Sequence, residues 1–262
     1  MGLQTIGRKQ MTCALGAVAL VAAGAPAAHG ALSMDFTINR LTVVIIDNSP
    51  FDTNPTTGVI DLNGSDLSAF FNGNLGASVV QFNSVGATSN RASGTGSTPA
   101  ALTQSGSVEV LPGAPPGMSI EIDAVETDFT SPAAPASMSE SAADTYAFTS
   151  PGQTRTFQSF FDPTDIGNAV LPAPLEVFTP PTGAGPFGTS NPGQTIPIAS
   201  PAIPFALLSE TFITVPTPPA SAATPVTDQF SGITTVSVPE PATLGLAVSA
   251  AIGLLGARRR LA

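Results

Sequence analysis

The sequence predicts an all-β body, an antiparallel β-sandwich of Ig-like or jelly-roll type, between two short apolar segments. Three observations carry that expectation. Short apolar or alternating runs recur along the chain, separated by clusters of Gly, Pro, Asn, Asp and Ser. Helix signals are scarce: there is a single Lys, while Gly and Pro number 25 and 26 in 262 residues. No internal repeat of fixed period is visible, which argues against a solenoid. Phe, Leu, Ile and Val make up about a quarter of the body, enough for a packed core, since disordered chains usually fall below about one fifth.

The first element is a leader. Gly7-Arg8-Lys9 is a short positive stretch, and Met11 to Ala23 is an apolar run. Ala28-His29-Gly30 offers small residues for cleavage. This is the pattern of a secretory signal peptide spanning residues 1–30, removed by signal peptidase. As a helix the run reaches about 20 Å, short of a bilayer core of about 30 Å.

The body follows as residues 31–237. Asp35-Phe36-Thr37-Ile38-Asn39 alternates strictly. Leu41 to Ile46 is a β-branched run, expected as a central strand buried on both faces. Val59-Ile60, Ser78 to Phe82, Ser107 to Val110 and Ser119 to Asp123 come next. Thr145 to Thr149, Thr154 to Phe161, Leu175 to Thr179, Leu207 to Val215 and Gln229 to Val236 complete the set. Ten to twelve short strands in one domain are expected. Thr130 to Ser141, rich in Pro, Ala and Ser, is expected as a long loop or a boundary. Pro216 to Pro225 is expected to lengthen a hairpin or to act as a stalk.

The last element is residues 238–262. Val238-Pro239-Glu240-Pro241-Ala242 leads into an apolar run from Thr243 to Ala257, then Arg258-Arg259-Arg260. Pro241 suits a helix start, and three Arg after an apolar run stay cytoplasmic. The run is a membrane hook with the body outside, but at about 22 Å it is short for a lasting span. Pro-Glu-Pro, a short apolar helix and a terminal Arg cluster resemble the PEP-CTERM sorting signal of Gram-negative bacteria. The resemblance implies export, recognition of Val238, Pro239, Glu240 and Pro241 by a membrane-embedded exosortase, and removal of the tail. It also implies a setting of extracellular polysaccharide.

Charge and missing residues exclude much. Residues 31–237 hold three arginines, Arg40, Arg91 and Arg155, against seventeen carboxylates, a formal −14. Such a body repels phosphate backbones, so nucleic acid is not a partner, and anionic membrane surfaces are disfavoured. Cys13, His29 and Lys9 are the chain's single Cys, His and Lys, and all lie in the leader. The body therefore has no thiol, imidazole or amine side chain. Ser-His-Asp and Cys-His catalysis, Schiff bases and His/Cys zinc sites are ruled out there. Carboxylate chemistry and oxygen-ligand metals remain.

Asp61, Asn63 and Asp66 place oxygens at calcium-like spacing, with Asp47, Asp52 and Asn54 nearby. The same residues suit an acidic turn between strands, and the Gly and bidentate Glu of a calcium loop are missing. Glu121, Asp123, Glu126 and Asp128 form the densest acidic cluster. On a strand, Glu121 and Asp123 share the face opposite Ile120 and Ile122. A carboxylate-pair glycosidase is the catalytic reading of that cluster, and a solvated face is the other. With no Trp and one Tyr, sugar stacking is poorly provided for. The expected function is non-enzymatic: an exported surface or matrix protein, structural or adhesive in a biofilm or exopolysaccharide. A calcium- or saccharide-binding surface module is the alternative.

Overall fold

Asn39 and Arg40 both take positive φ, 49° and 74°. That is the backbone of a two-residue type I′ turn, which matches the twist of the strands it joins. It links β1 (Ser33–Ile38) to β2 (Leu41–Ile46). The computed structural model describes residues 32–91, 99–132, 135–167, 170–181, 184–191, 193–198, 201, 203–221 and 223–238. The expected leader, 1–30, and the apolar run 243–257 lie outside the described residues. Among the described residues no helix is long and apolar enough to cross a membrane.

The remaining elements are β3 (Val59–Leu62), α1 (Gly64–Leu75), β4 (Val80–Ser89), β5 (Ala100–Val110), β6 (Met118–Phe129) and β7 (Ala136–Phe148). Then come β8 (Thr154–Asp162), β9 (Leu171–Pro172), β10 (Glu176–Phe178) and β11 (Ala184–Asn191). β12 (Thr195–Ile198), β13 (Phe205–Val215) and β14 (Val226–Ser237) end the body. Two antiparallel sheets result. One runs β10-β8-β13-β6-β1-β2 with β9 beside β8, the other β11-β7-β14-β5-β4-β3 with β12 beside β7.

The pairing follows one rule. β5 pairs β14, β6 pairs β13, β7 pairs β11 and β12, and β8 pairs β9 and β10. Successive rungs of this two-stranded ribbon fall in alternate sheets. That winding is a jelly roll. The hairpins β1-β2 and β3-β4 widen the two sheets at one side.

Several expectations change. Leu41 to Ile46 is an edge strand, not a central one: Val43 and Ile45 are buried, while Val44 is 51% and Ile46 45% exposed. Branching at Cβ suits a pleated strand whether or not both faces are covered. Residues 136–141, expected as loop, are the start of β7. Pro216 to Pro225 is neither hairpin nor stalk, since it crosses from β13 in one sheet to β14 in the other. Helix α1 was not expected. Asn63 caps it by accepting the Ser65 N–H at 3.1 Å, and Gly76 ends it in the left-handed region at φ 74°. Its Leu67 and Phe71 enter the core, Phe71 lying 6.0 Å from Phe82, which meets Phe36 edge-on at 5.9 Å.

The sheets overlie in a fixed way. Gln104 Nε2 of β5 donates to the Ile122 carbonyl of β6 at 2.7 Å. Ser159 of β8 and Thr234 of β14 share a hydroxyl bond of 2.6 Å. With the registers, these contacts place the start of β1 and the end of β14 at the same pole. The other pole gathers the 39–40 turn and the connections that follow β5, β7 and β13. There the Gly117 N–H donates to the Pro216 carbonyl at 2.9 Å, and the Ser150 hydroxyl to the Thr217 carbonyl at 2.8 Å.

Candidate functional site

On the outer face of the first sheet, Asp35, Asp123 and Glu210 stand directly abreast on β1, β6 and β13. Glu121 lies two residues from Asp123, on the same face opposite Ile120 and Ile122, as the alternation predicts. The carboxylates of Glu121, Asp123 and Glu210 approach within 4.8 Å of one another. Among the described residues no ion pair reaches them: Arg91 and Arg155 pair elsewhere. Asp35 Oδ1 and Asp123 Oδ1 are buried without a hydrogen-bond partner. Burial first, then Glu121, Glu210 and Asp35, push Asp123 up to about 8. Asp35 and Glu210 are also raised, each by burial and then by Glu121. Like charges this close hold protons or a hard cation.

Glu126 and Asp128 do not join that row. Glu126 points inward at the pole where β1 starts, and Arg91 Nε meets its Oε1 at 2.5 Å. Burial pushes Glu126 up to about 7 although Arg91 pulls it down. Arg91 also lies 4.0 Å from Asp128.

Asp61, Asn63 and Asp66 are placed on different elements: Asp61 on β3, Asn63 at the cap, Asp66 in the first turn of α1. Asn63 Oδ1 is engaged by the Ser65 N–H and hydroxyl, and Asn63 Nδ2 donates to Asp66 Oδ2 at 3.2 Å. Asp52 accepts the N–H groups of Asn48, Asn54 and Asp61, and Asp47 that of Gly58. These acids brace the chain between β2 and α1.

The interior between β7, β8, β10 and β14 holds a second set of acids that the sequence did not single out. Arg155, fully buried, pairs with Asp144 at 3.2 Å and donates to the Ala143 and Ser231 carbonyls at 3.1 and 3.3 Å. Its guanidinium lies 5.1–5.8 Å from the rings of Phe157, Phe178 and Phe230. Tyr146 donates to Asp144. Asp228 is raised well above its ordinary value, by burial and then by Asp144. Glu140 accepts the Ser159 N–H at 2.9 Å. Burial, then Glu140, push Glu176 up to about 7, against the pull of Arg155. Alternation would have put all of these inward, but charged residues at inward positions mask the strand pattern.

At the other end of the chain β14 closes at Ser237, and Val238 is exposed beyond it. Residues 237–260 match the PEP-CTERM protein-sorting motif. The motif therefore begins on the last residue of the last strand. It spans Val238, Pro239, Glu240, Pro241 and Arg258 to Arg260, of which all but Val238 lie outside the described residues. A PEP-CTERM signal marks an exported protein processed by an exosortase, and the chemistry of that cut belongs to the exosortase. No curated protein matches the chain.

Proposed function

We propose that the chain is a surface or matrix protein whose jelly roll is a structural or adhesive module, displayed in a polysaccharide-rich envelope after signal peptidase and exosortase have removed its two ends. It carries out no catalysis of its own in this reading. The observation that supports it is the continuity of β14 with the PEP-CTERM motif. β14 is paired along its length to β5 on one side and β7 on the other. A load applied at Ser237 is thus taken in shear by two ladders of backbone hydrogen bonds at once. An attachment point with no spacer, set on a central strand, suits a protein that bears force.

The test is E240A in the host. The expected result is a chain that keeps its tail, stays in the membrane fraction and is missing from the washed extracellular matrix. Normal delivery of E240A, or a mature protein that washes freely from the matrix, would overturn the proposal.

A second reading, a calcium-binding surface module, is favoured by the closeness of Glu121, Asp123 and Glu210. Millimolar calcium should then raise the melting temperature, and E210Q should abolish the rise. Loss of the rise in D61A or D66A instead would place the ion at α1. No rise in the unaltered protein would sink the calcium reading.

A further inference from the structure

Exposed aliphatic side chains stand where β14 ends. Ile166, Val170, Leu171, Ile203 and Val238 surround the pole at which β14 ends, and Ile166 is 68% exposed, Ile203 50% and Val238 42%. Toward the opposite pole Val177 is 59% exposed, but it stands on the outer face of the edge strand β10 and not beside a chain exit. The tip that carries Ile166 is held out by an anchored turn. Asp162 Oδ1 accepts the Thr164 N–H at 2.8 Å and its Oδ2 the Ile166 N–H at 3.2 Å, while Asp165 Oδ1 accepts the Asp128 N–H at 2.6 Å.

The chain leaves the body from this same pole at both ends. Leu32 is fully buried where β1 begins, directly after the leader. At the other end five residues, 238–242, separate β14 from the apolar run that starts at Thr243. Fully extended, five residues reach at most about 17 Å. While that run sits in a bilayer, the pole cannot be far from the lipid surface.

We infer that this aliphatic pole docks onto the lipid surface while the sorting tail is in place, which holds the motif at a fixed height for the exosortase. The inference rests on the sorting reading above. The occupant is a zwitterionic surface, because the −14 body disfavours anionic lipid. Isolated exposed aliphatics are ordinary, but five grouped at the exit point of a membrane segment mark an interaction face.

The chain has no Trp, so one introduced Trp reports from one place. The full chain, as I203W, V170W or A220W, is reconstituted into phosphatidylcholine–phosphatidylethanolamine vesicles with brominated acyl chains. Flotation reports insertion, and melting temperature reports the fold of each variant. The expected result is strong quenching and a blue shift for I203W and V170W, and neither for A220W at the far pole. Flotation with all three probes unquenched, or quenched alike, would overturn the docking and leave the sorting reading intact. Failure of the chain to float would remove both.

Discussion

Arg155 is the one cation among the described residues of an interior that also holds Asp144, Asp228, Glu140 and Glu176. Removing one partner of a buried pair leaves an uncompensated charge and costs about 3–5 kcal/mol. R155M should therefore lose about that much in urea unfolding at pH 7. Asp123 makes the opposite kind of statement. Its pKa of about 8 in the folded state lies above the ordinary 3.8, so folding takes up a proton. That stabilisation is complete below about pH 4 and is lost as pH rises through about 8. In the absence of divalent cations, D123N should flatten this dependence and raise the melting temperature at pH 8.5, by about 2–4 °C for each kcal/mol recovered. An unchanged pH profile in D123N would show that the carboxylate row is not strained.

At the scale of elements, the sandwich is closed by a contact that only glycine permits. A Cβ on Gly232 of β14 would strike the ring of Phe157 on β8. G232A should overpack this interface and cost about 1–3 kcal/mol, measured as a lower midpoint in urea. Legibility follows from the same interior. Asp35 to Ile38 and Ser119 to Asp123 are readable because their inward residues are apolar, and Leu207 to Val215 because apolar and β-branched residues dominate it although Ser209 and Thr211 face inward. The first half of β7 was not, because Glu140, Ala142 and Asp144 stand where a core strand usually places large apolar side chains. Helix α1 escaped because its Asn and Gly residues give it poor intrinsic propensity, and packing of Leu67 and Phe71 holds it. Asn63 and Asp66 were read as cation ligands, and their placement as cap and first-turn acid was equally present in their spacing.

For the whole molecule, the sandwich was legible in the sequence and its winding was not. Jelly-roll order depends on pairings such as β5 with β14, between segments far apart in the chain, and local patterns carry no information about them. The carboxylate row was half visible for the same reason: Glu121 and Asp123 lie together in sequence, while Asp35 and Glu210 are brought in by neighbouring strands. The sorting signal was readable because it acts as a linear motif. In the proposed function the jelly roll is delivered outside the cell and released from its tail at the edge of β14. The most direct measurement is the intact mass of the protein from its own host, taken separately from membrane and extracellular fractions. The expected species is extracellular, begins near Ala31 and ends between Pro239 and Pro241, with any excess mass due to an attached group. An extracellular or surface species that still carries Arg258 to Arg260 would contradict it.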